Sequence, residues 1–157
     1  MISAVGGETD FSELTVILPT MRVDRHLMRA IDTTLSSLGP HCKLFLYLDG
    51  CFDEAEYLQR TYASESRLHF FGSHQTVGLA NALNHLLSHV KTKFVARMDG
   101  DDLTPRWRFK YQIRMIDKHQ LDFLFSPCFL KIEKGRGRVW WLQSMKSIPP
   151  REIPLIL

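Results

Sequence analysis

Four short apolar runs, each broken at its C-terminal end by polar or turn-forming residues, constrain this chain more than any other feature. They are Leu14–Leu18, Lys43–Leu48, Leu68–Phe71 and Phe94–Met98. Each is too short for a full helix and has few charges, so each reads as a buried strand. The stretches between them carry apolar residues at helical spacing. Leu27, Ile31, Leu35 and Leu38 mark the first, with Asp24 as N-cap and Gly39-Pro40 as its stop. Asp53-Glu54 opens a short helix carrying Ala55, Leu58 and Tyr62 on one face. Gly78 opens a third, whose apolar side is expected to be Leu79, Leu83, Leu86, Leu87 and Val90. Thr104-Pro105 reads as the N-cap and first residue of a fourth, running to about His119 with Phe109, Ile113 and Ile116 as its stripe. Strands that alternate with helices specify an α/β fold, Rossmann-like, with a mostly parallel central sheet and helices on both faces. Pro19 is expected to stop the first strand. Leu121–Phe125 reads as a fifth strand, extended by Cys128–Ile132 beyond Pro127. Gly135-Arg136-Gly137 then reads as a turn that returns through Val139–Leu142.

In sheets of this kind ligands bind beyond the carboxyl ends of the strands. The polar residues fall there repeatedly. Thr20 and Arg22 follow the first strand, Asp49 the second and His74, Gln75 and Thr76 the third. Asp99, Asp101 and Asp102 follow the fourth, which puts three carboxylates within four residues. Like charges at this spacing repel, and a hard divalent cation relieves them: Mg²⁺ and Mn²⁺ prefer oxygen ligands and share them with substrate phosphates. Arg97 and Asp99 are two apart and so share one face of an extended strand. Arg108 and Gln112, four apart, share a helix face. The reading is a nucleotide site with a divalent metal. Asn81 and Asn84 are poor helix-interior residues, suited either to water or to hydrogen bonding near a ligand. His85 and His89 have i, i+4 spacing but no adjacent Glu, so they read as a helix surface pair rather than a zinc site. Trp140-Trp141 reads as aromatic packing on an edge strand.

Composition removes other classes. The chain has 157 residues, 45% hydrophobic and 24% charged, which is enough for one domain with a core. A net charge of +3, spread along the chain, suits an anionic substrate and gives no basis for a nucleic-acid partner. Cys42, Cys51 and Cys128 have no C-x-x-C spacing and read as free thiols of a reducing compartment. No apolar run approaches a membrane span and no signal-peptide pattern opens the chain. A cytoplasmic location is expected, compatible with peripheral association at the inner face of a membrane. Neither G-x-G-x-x-G nor G-x-x-x-x-G-K-[ST] occurs, so dinucleotide and P-loop chemistry are not indicated.

Together these residues resemble family 2 glycosyltransferases of the GT-A fold. Val16-Ile17-Leu18-Pro19-Thr20 resembles their opening strand, and Leu46-Tyr47-Leu48-Asp49-Gly50 their second motif, commonly V-D-D-G-S. Val77-Gly78-Leu79-Ala80-Asn81-Ala82-Leu83-Asn84 is similar to the G-L-A-x-A-L-N segment of bacterial polysaccharide-building members. Ala96-Arg97-Met98-Asp99-Gly100-Asp101-Asp102 resembles R-M-D-A-D-D, and Pro105, Arg108 and Gln112 match the P-x-x-R-x-x-x-Q that follows. The likeness implies transfer of a sugar, with inversion, from a nucleotide-sugar donor of the UDP type to a glycan or glycolipid acceptor, with Mn²⁺ or Mg²⁺ as cofactor. It implies that Pro19, Thr20 and Arg22 line the nucleotide slot and that Asp49 holds the base or ribose. Asp99 would face the ribose–diphosphate side, and Arg97 would orient Asp99 or approach a phosphate. Asp101 would be the main metal contact, and Asp102 would support the loop or the ion. It divides the chain into a loose segment 1–12, a nucleotide-sugar-binding domain 13–146 and the start of a truncated acceptor-side segment at 147–157. Three positions depart from the pattern. The second motif has one Asp, followed by Cys51-Phe52, and the first loop has Met21-Arg22 where an aromatic and Asn are common. The carboxylate base of inverting members lies downstream of the donor half, and is expected beyond Leu157; Glu133 and Glu152 are candidates only by elimination. The other readings are a non-catalytic or truncated nucleotide-sugar-binding domain and a Mg²⁺-dependent nucleotidyltransferase. The Gly-rich first loop of the latter is missing here.

Overall fold

The computed structural model describes residues 13–125, 128–134 and 137–143. Strand β1 (Leu14–Thr20) leads to helix α1 (Arg25–Ser37), and β2 (Lys43–Asp49) leads through a 3₁₀ turn at Phe52–Glu54 to α2 (Ala55–Thr61). Strand β3 (Leu68–Ser73) precedes α3 (Leu79–His89), and β4 (Phe94–Arg97) precedes α4 (Arg108–His119). The four strands form one parallel sheet in the order β3-β2-β1-β4.

Both faces of the sheet are covered, which is why its strands read as nearly continuous apolar runs. Val16 and Leu18 of β1 and Leu44, Leu46 and Leu48 of β2 pack with Leu27 and Ile31 of α1, Leu58 of α2 and Phe109 and Ile113 of α4. The alternate residues Ile17, Phe45 and Tyr47 meet Ala82 and Leu86 of α3 on the opposite face. Helix α1 starts where expected: the Asp24 carboxylate accepts the N–H groups of His26 and Leu27 at 2.8 and 3.0 Å.

Four expectations are corrected. Pro19 does not end β1. Pairing with β4 stops at Ile17–Arg97, but pairing with β2 continues to Thr20–Leu48. The Ile17 carbonyl accepts from Met98 N–H on the β4 side. Pro19, two residues on, turns its donorless nitrogen to that same side, so the proline closes one edge of the strand. Helix α4 begins at Arg108 rather than Pro105. Thr104 is buried and used elsewhere: its N–H donates to Thr33 Oγ1 of α1 (3.3 Å), and its hydroxyl accepts from Arg108 Nη1 (3.3 Å). On α3 the buried face is Ala82 and Leu86, while Leu79 and Leu87 are exposed. Residues 121–125 form no strand. Gln120 caps α4 in the left-handed conformation (φ 51°), and among the described residues no strand pairs with the run beyond it. Strands β5 (Cys128–Lys134) and β6 (Gly137–Gln143) instead make their own antiparallel pair, with Trp140 opposite Lys131 and Trp141 opposite Leu130. Residues 1–12, Pro127, Gly135, Arg136 and 147–157, with the expectations placed on them, lie outside the described residues. Among the described residues, Cys42 and Cys51 are in no disulfide, and no helix is long and apolar enough to cross a membrane.

Candidate nucleotide and metal site

The carboxyl ends of β1 and β2 and the loop after β4 open into a cleft of about 950 Å³, a size common among ligand sites. Pro19 and Thr20 reach it from β1, Arg22 from the loop after β1, Asp49 from β2, and Gly100 and Asp101 from the loop after β4. Arg97, Asp99 and Asp102 lie outside its lining. Met21, Asp24, His26, Leu79 and Ala82 also line it, and were not among the site residues expected from the sequence. The first three were legible in principle, since they follow Thr20 in the same loop and first helical turn. Leu79 was read as core because of its spacing.

The wall from β1 is a local turn. Thr20 Oγ1 donates to the Arg22 carbonyl at 2.9 Å and accepts the Arg22 N–H at 3.3 Å. Asp24 follows, its carboxyl held below the usual carboxylate range chiefly by the N–H of Leu27 and also by that of His26.

The floor is Asp49, only 3% exposed. Its Oδ1 accepts Val77 N–H at 2.6 Å and its Oδ2 accepts Gly78 N–H at 3.0 Å. The neighbouring loops are joined at several further points. Gly50 N–H donates to the Ser73 carbonyl at 3.0 Å, and His74 Nδ1 pairs with Asp53 Oδ1 at 2.8 Å. Gly50 adopts φ +76°, and a Cβ there would strike Thr76 Oγ1, so no side chain fits between the loops. Asn81 donates to the Val77 carbonyl at 2.8 Å and thereby ties the start of α3 to the same loop. His74, Gln75 and Thr76 are exposed and outside the lining, as is the exposed Asn84.

The acidic loop closes the other side. Arg97 Nε and Nη2 both donate to Asp99 Oδ1, at 3.1 and 2.8 Å. Both side chains are about half exposed, so the pair orients Asp99 more than it stabilises the fold. Asp102 N–H donates to the Asp99 carbonyl at 3.2 Å, closing the turn. Gly100 sits against the end of β1: a Cβ there would come within 3.0 Å of Thr20 Oγ1 and 3.2 Å of Thr20 Cβ. Arg108 of α4 braces the loop at both ends, donating to the Arg97 carbonyl (3.4 Å) and to Thr104 Oγ1 (3.3 Å).

The electrostatics fit a cation. Desolvation first, and then the charges of Asp99 and Asp101, push the Asp102 carboxyl above its ordinary value; Arg108 and Arg97 offset part of this. Among the described residues no three His, Cys, Asp or Glu side chains gather as a metal cage. One or two carboxylates that leave the remaining positions to phosphate oxygens and water are the usual mode for Mg²⁺ at nucleotide sites. His85 and His89 stack with ring centroids 4.8 Å apart and pack against Phe71 and Tyr47, which accounts for them as part of the α3 face.

The model of the family described as Glycosyl transferase family 2 matches residues 15–155. EpsE of Bacillus subtilis (strain 168) is 30% identical over 110 residues, covering 69% of this chain and 40% of EpsE. The Escherichia coli UDP-Glc:alpha-D-GlcNAc-diphosphoundecaprenol beta-1,3-glucosyltransferase WfgD is 22% identical over 113 residues, covering 72% of this chain and 44% of WfgD. This chain therefore spans less than half the length of either relative. Among solved structures, the mannosyltransferase PcManGT from Pyrobaculum calidifontis, in complex with GDP-Man and Mn²⁺, superposes with a TM-score of 0.59 at 22% identity, over 66% of this chain and 32% of PcManGT. That likeness establishes the shared fold.

Proposed function

Because the chain belongs to glycosyl transferase family 2, we propose that its cleft holds the nucleoside-diphosphate part of a sugar donor, and that the protein transfers that sugar with inversion to a glycan or glycolipid acceptor. One observation carries the reading: Thr20, Asp49 and Asp101 come from three separate strand ends into one cleft at the carboxyl edge of a parallel sheet. The base and ribose occupy the slot between Pro19-Thr20, Arg22 and the Asp49 floor. The diphosphate lies toward Gly100 and Asp101, with Asp99 on the ribose–diphosphate side. Asp101, supported by Asp102, would hold Mn²⁺ or Mg²⁺. When bound, such an ion supplies charge stabilisation for the departing diphosphate. Arg97 sets the direction of Asp99. In the transfer an acceptor hydroxyl oxygen forms a bond to the anomeric carbon while the bond from that carbon to the diphosphate oxygen breaks. The hydroxyl proton passes to a carboxylate base, and the diphosphate leaves with the electron pair.

A UDP-sugar donor and a lipid-linked acceptor are supported by the name of WfgD, while the complex of PcManGT supports a metal and shows a GDP-sugar in the same fold. The test is calorimetric titration of UDP, GDP and UDP-glucose with Mn²⁺ and then with chelator, into wild type and Asp101→Ala. Metal-dependent binding of at least one nucleotide, weakened tenfold or more in the variant, is the expected result. No binding of any nucleotide to folded wild type would sink the proposal.

A further inference from the structure

The Asp49 carboxylate lies at the floor of the cleft, yet both of its oxygens are engaged by backbone. Val77 N–H reaches Oδ1 at 2.6 Å and Gly78 N–H reaches Oδ2 at 3.0 Å, from 28 and 29 residues away. At 3% exposure the group has little surface left for a ligand. We infer that Asp49 is a positioning residue: it forms the nucleotide slot by clamping the loop between β3 and α3, and does not select the base.

This inference rests on the proposed nucleotide site and assigns Asp49 a role within it. Two N–H donors on one buried carboxylate are charge-assisted bonds, stronger than those between neutral groups. They fall on the two residues that precede α3. Gly78 has φ +86°, a conformation that other residues adopt only with strain. The next residue, Leu79, lines the cleft and is 51% exposed. The Asp49 clamp and the Gly78 turn together set where Leu79 and the first turn of α3 stand relative to Thr20 and Asp101. The contact of Gly50 with Thr76 and the bond from Asn81 to the Val77 carbonyl hold the same loop from two other sides. Were Asp49 to read a base, it would have to release one of these N–H groups, and a buried N–H without a partner is costly.

The experiment compares wild type, Asp49→Asn and Gly78→Ala. The second variant strains the loop without altering the carboxylate, and a Cβ at Gly78 meets nothing within 4 Å. It also keeps the inference testable if Asp49→Asn fails to fold. Hydrogen exchange of nucleotide-free protein is measured at residues 73–79, together with the affinities of UDP and GDP in Mn²⁺. Both variants are expected to lose exchange protection at Val77 or Gly78 by tenfold or more. Both are also expected to weaken UDP and GDP by the same factor, leaving their ratio within twofold of wild type. Three results would overturn the inference: unchanged exchange in either folded variant, faster exchange with unaltered nucleotide affinity, or a tenfold change in the UDP-to-GDP ratio in Asp49→Asn. Failure of wild type to bind either nucleotide would count against the donor site, while the exchange comparison would still judge the clamp.

Discussion

His69 shows how one side chain couples this fold to pH. It lies on β3 opposite Phe45, its ring edge-on to that phenylalanine at 5.3 Å. Partial burial, and then the charge of Lys43, lower its pKa from the ordinary histidine value. In the unfolded chain the ring protonates at about pH 6.5, while in the folded chain it resists protonation to lower pH. The unfolded state therefore binds more protons across that interval. The stability tied to His69 is complete above about pH 6.5 and declines as pH falls toward the lower, folded value. Urea unfolding midpoints measured at pH 7.5 and pH 5.0 are expected to drop less in His69→Phe than in wild type. A drop of equal size in both proteins would show that His69 does not contribute.

At the scale of elements, the end of α1 is held from outside the helix. Arg67, just before β3, donates from Nη1 to the carbonyls of Leu35, Leu38 and Gly39 at 3.2, 3.0 and 3.4 Å. Leu35 belongs to the last turn of α1 and its carbonyl also accepts Leu38 N–H at 3.2 Å, while Leu38 and Gly39 follow the helix. The guanidinium is fixed by Glu65, which accepts from Nε at 2.8 Å and from Nη2 at 2.6 Å. This planar fork explains the Glu65 carboxyl, held below its ordinary value mainly by the Arg67 side chain. Stability from this pair is present above the unfolded carboxylate value and is lost as pH falls toward the lower, folded one. Arg67→Met should cost about 2 kcal/mol in chemical denaturation, the loss typical of charge-assisted hydrogen bonds. Arg67→Lys should recover only part of it, because a single ammonium cannot serve Glu65 and the carbonyls in the same geometry.

At the scale of the whole molecule, the cleft joins strand ends that are distant in sequence, so a ligand bridging them should stabilise the entire sheet. If the proposed site binds UDP or GDP with Mn²⁺, nucleotide at a hundredfold excess over its Kd adds about 2.7 kcal/mol. For a chain of this length that corresponds to an upward shift of about 5–10 °C in the thermal midpoint. Chelator should cancel most of the shift, and Asp101→Ala should lack it. A shift of the same size with chelator would remove the metal from the proposal.

Much of the architecture was legible in the chain alone. The apolar runs marked β1 to β4, helical spacing and Asp24 marked α1, and the α/β class followed from their alternation. The polar residues after β1, β2 and β4 pointed to the candidate cleft, whereas those after β3 lie outside its lining. These features are local: burial on both faces writes continuous apolar strands, and a cap needs only its own first turn. What depended on tertiary contact was not legible. Pro19 remained in β1 because the side it cannot bond is the side where β4 has ended. Thr104 looked like a cap and instead joined α4 to α1, through Thr33 and Arg108. Leu121–Phe125 had the composition of a strand, but among the described residues no strand pairs with it. Asp49 was recognisable as a strand-end carboxylate, while its partners, 28 and 29 residues away, were set only when β2 and β3 aligned side by side. Periodicity records which side of an element is covered; the partner of a buried polar group is decided by which elements pack together.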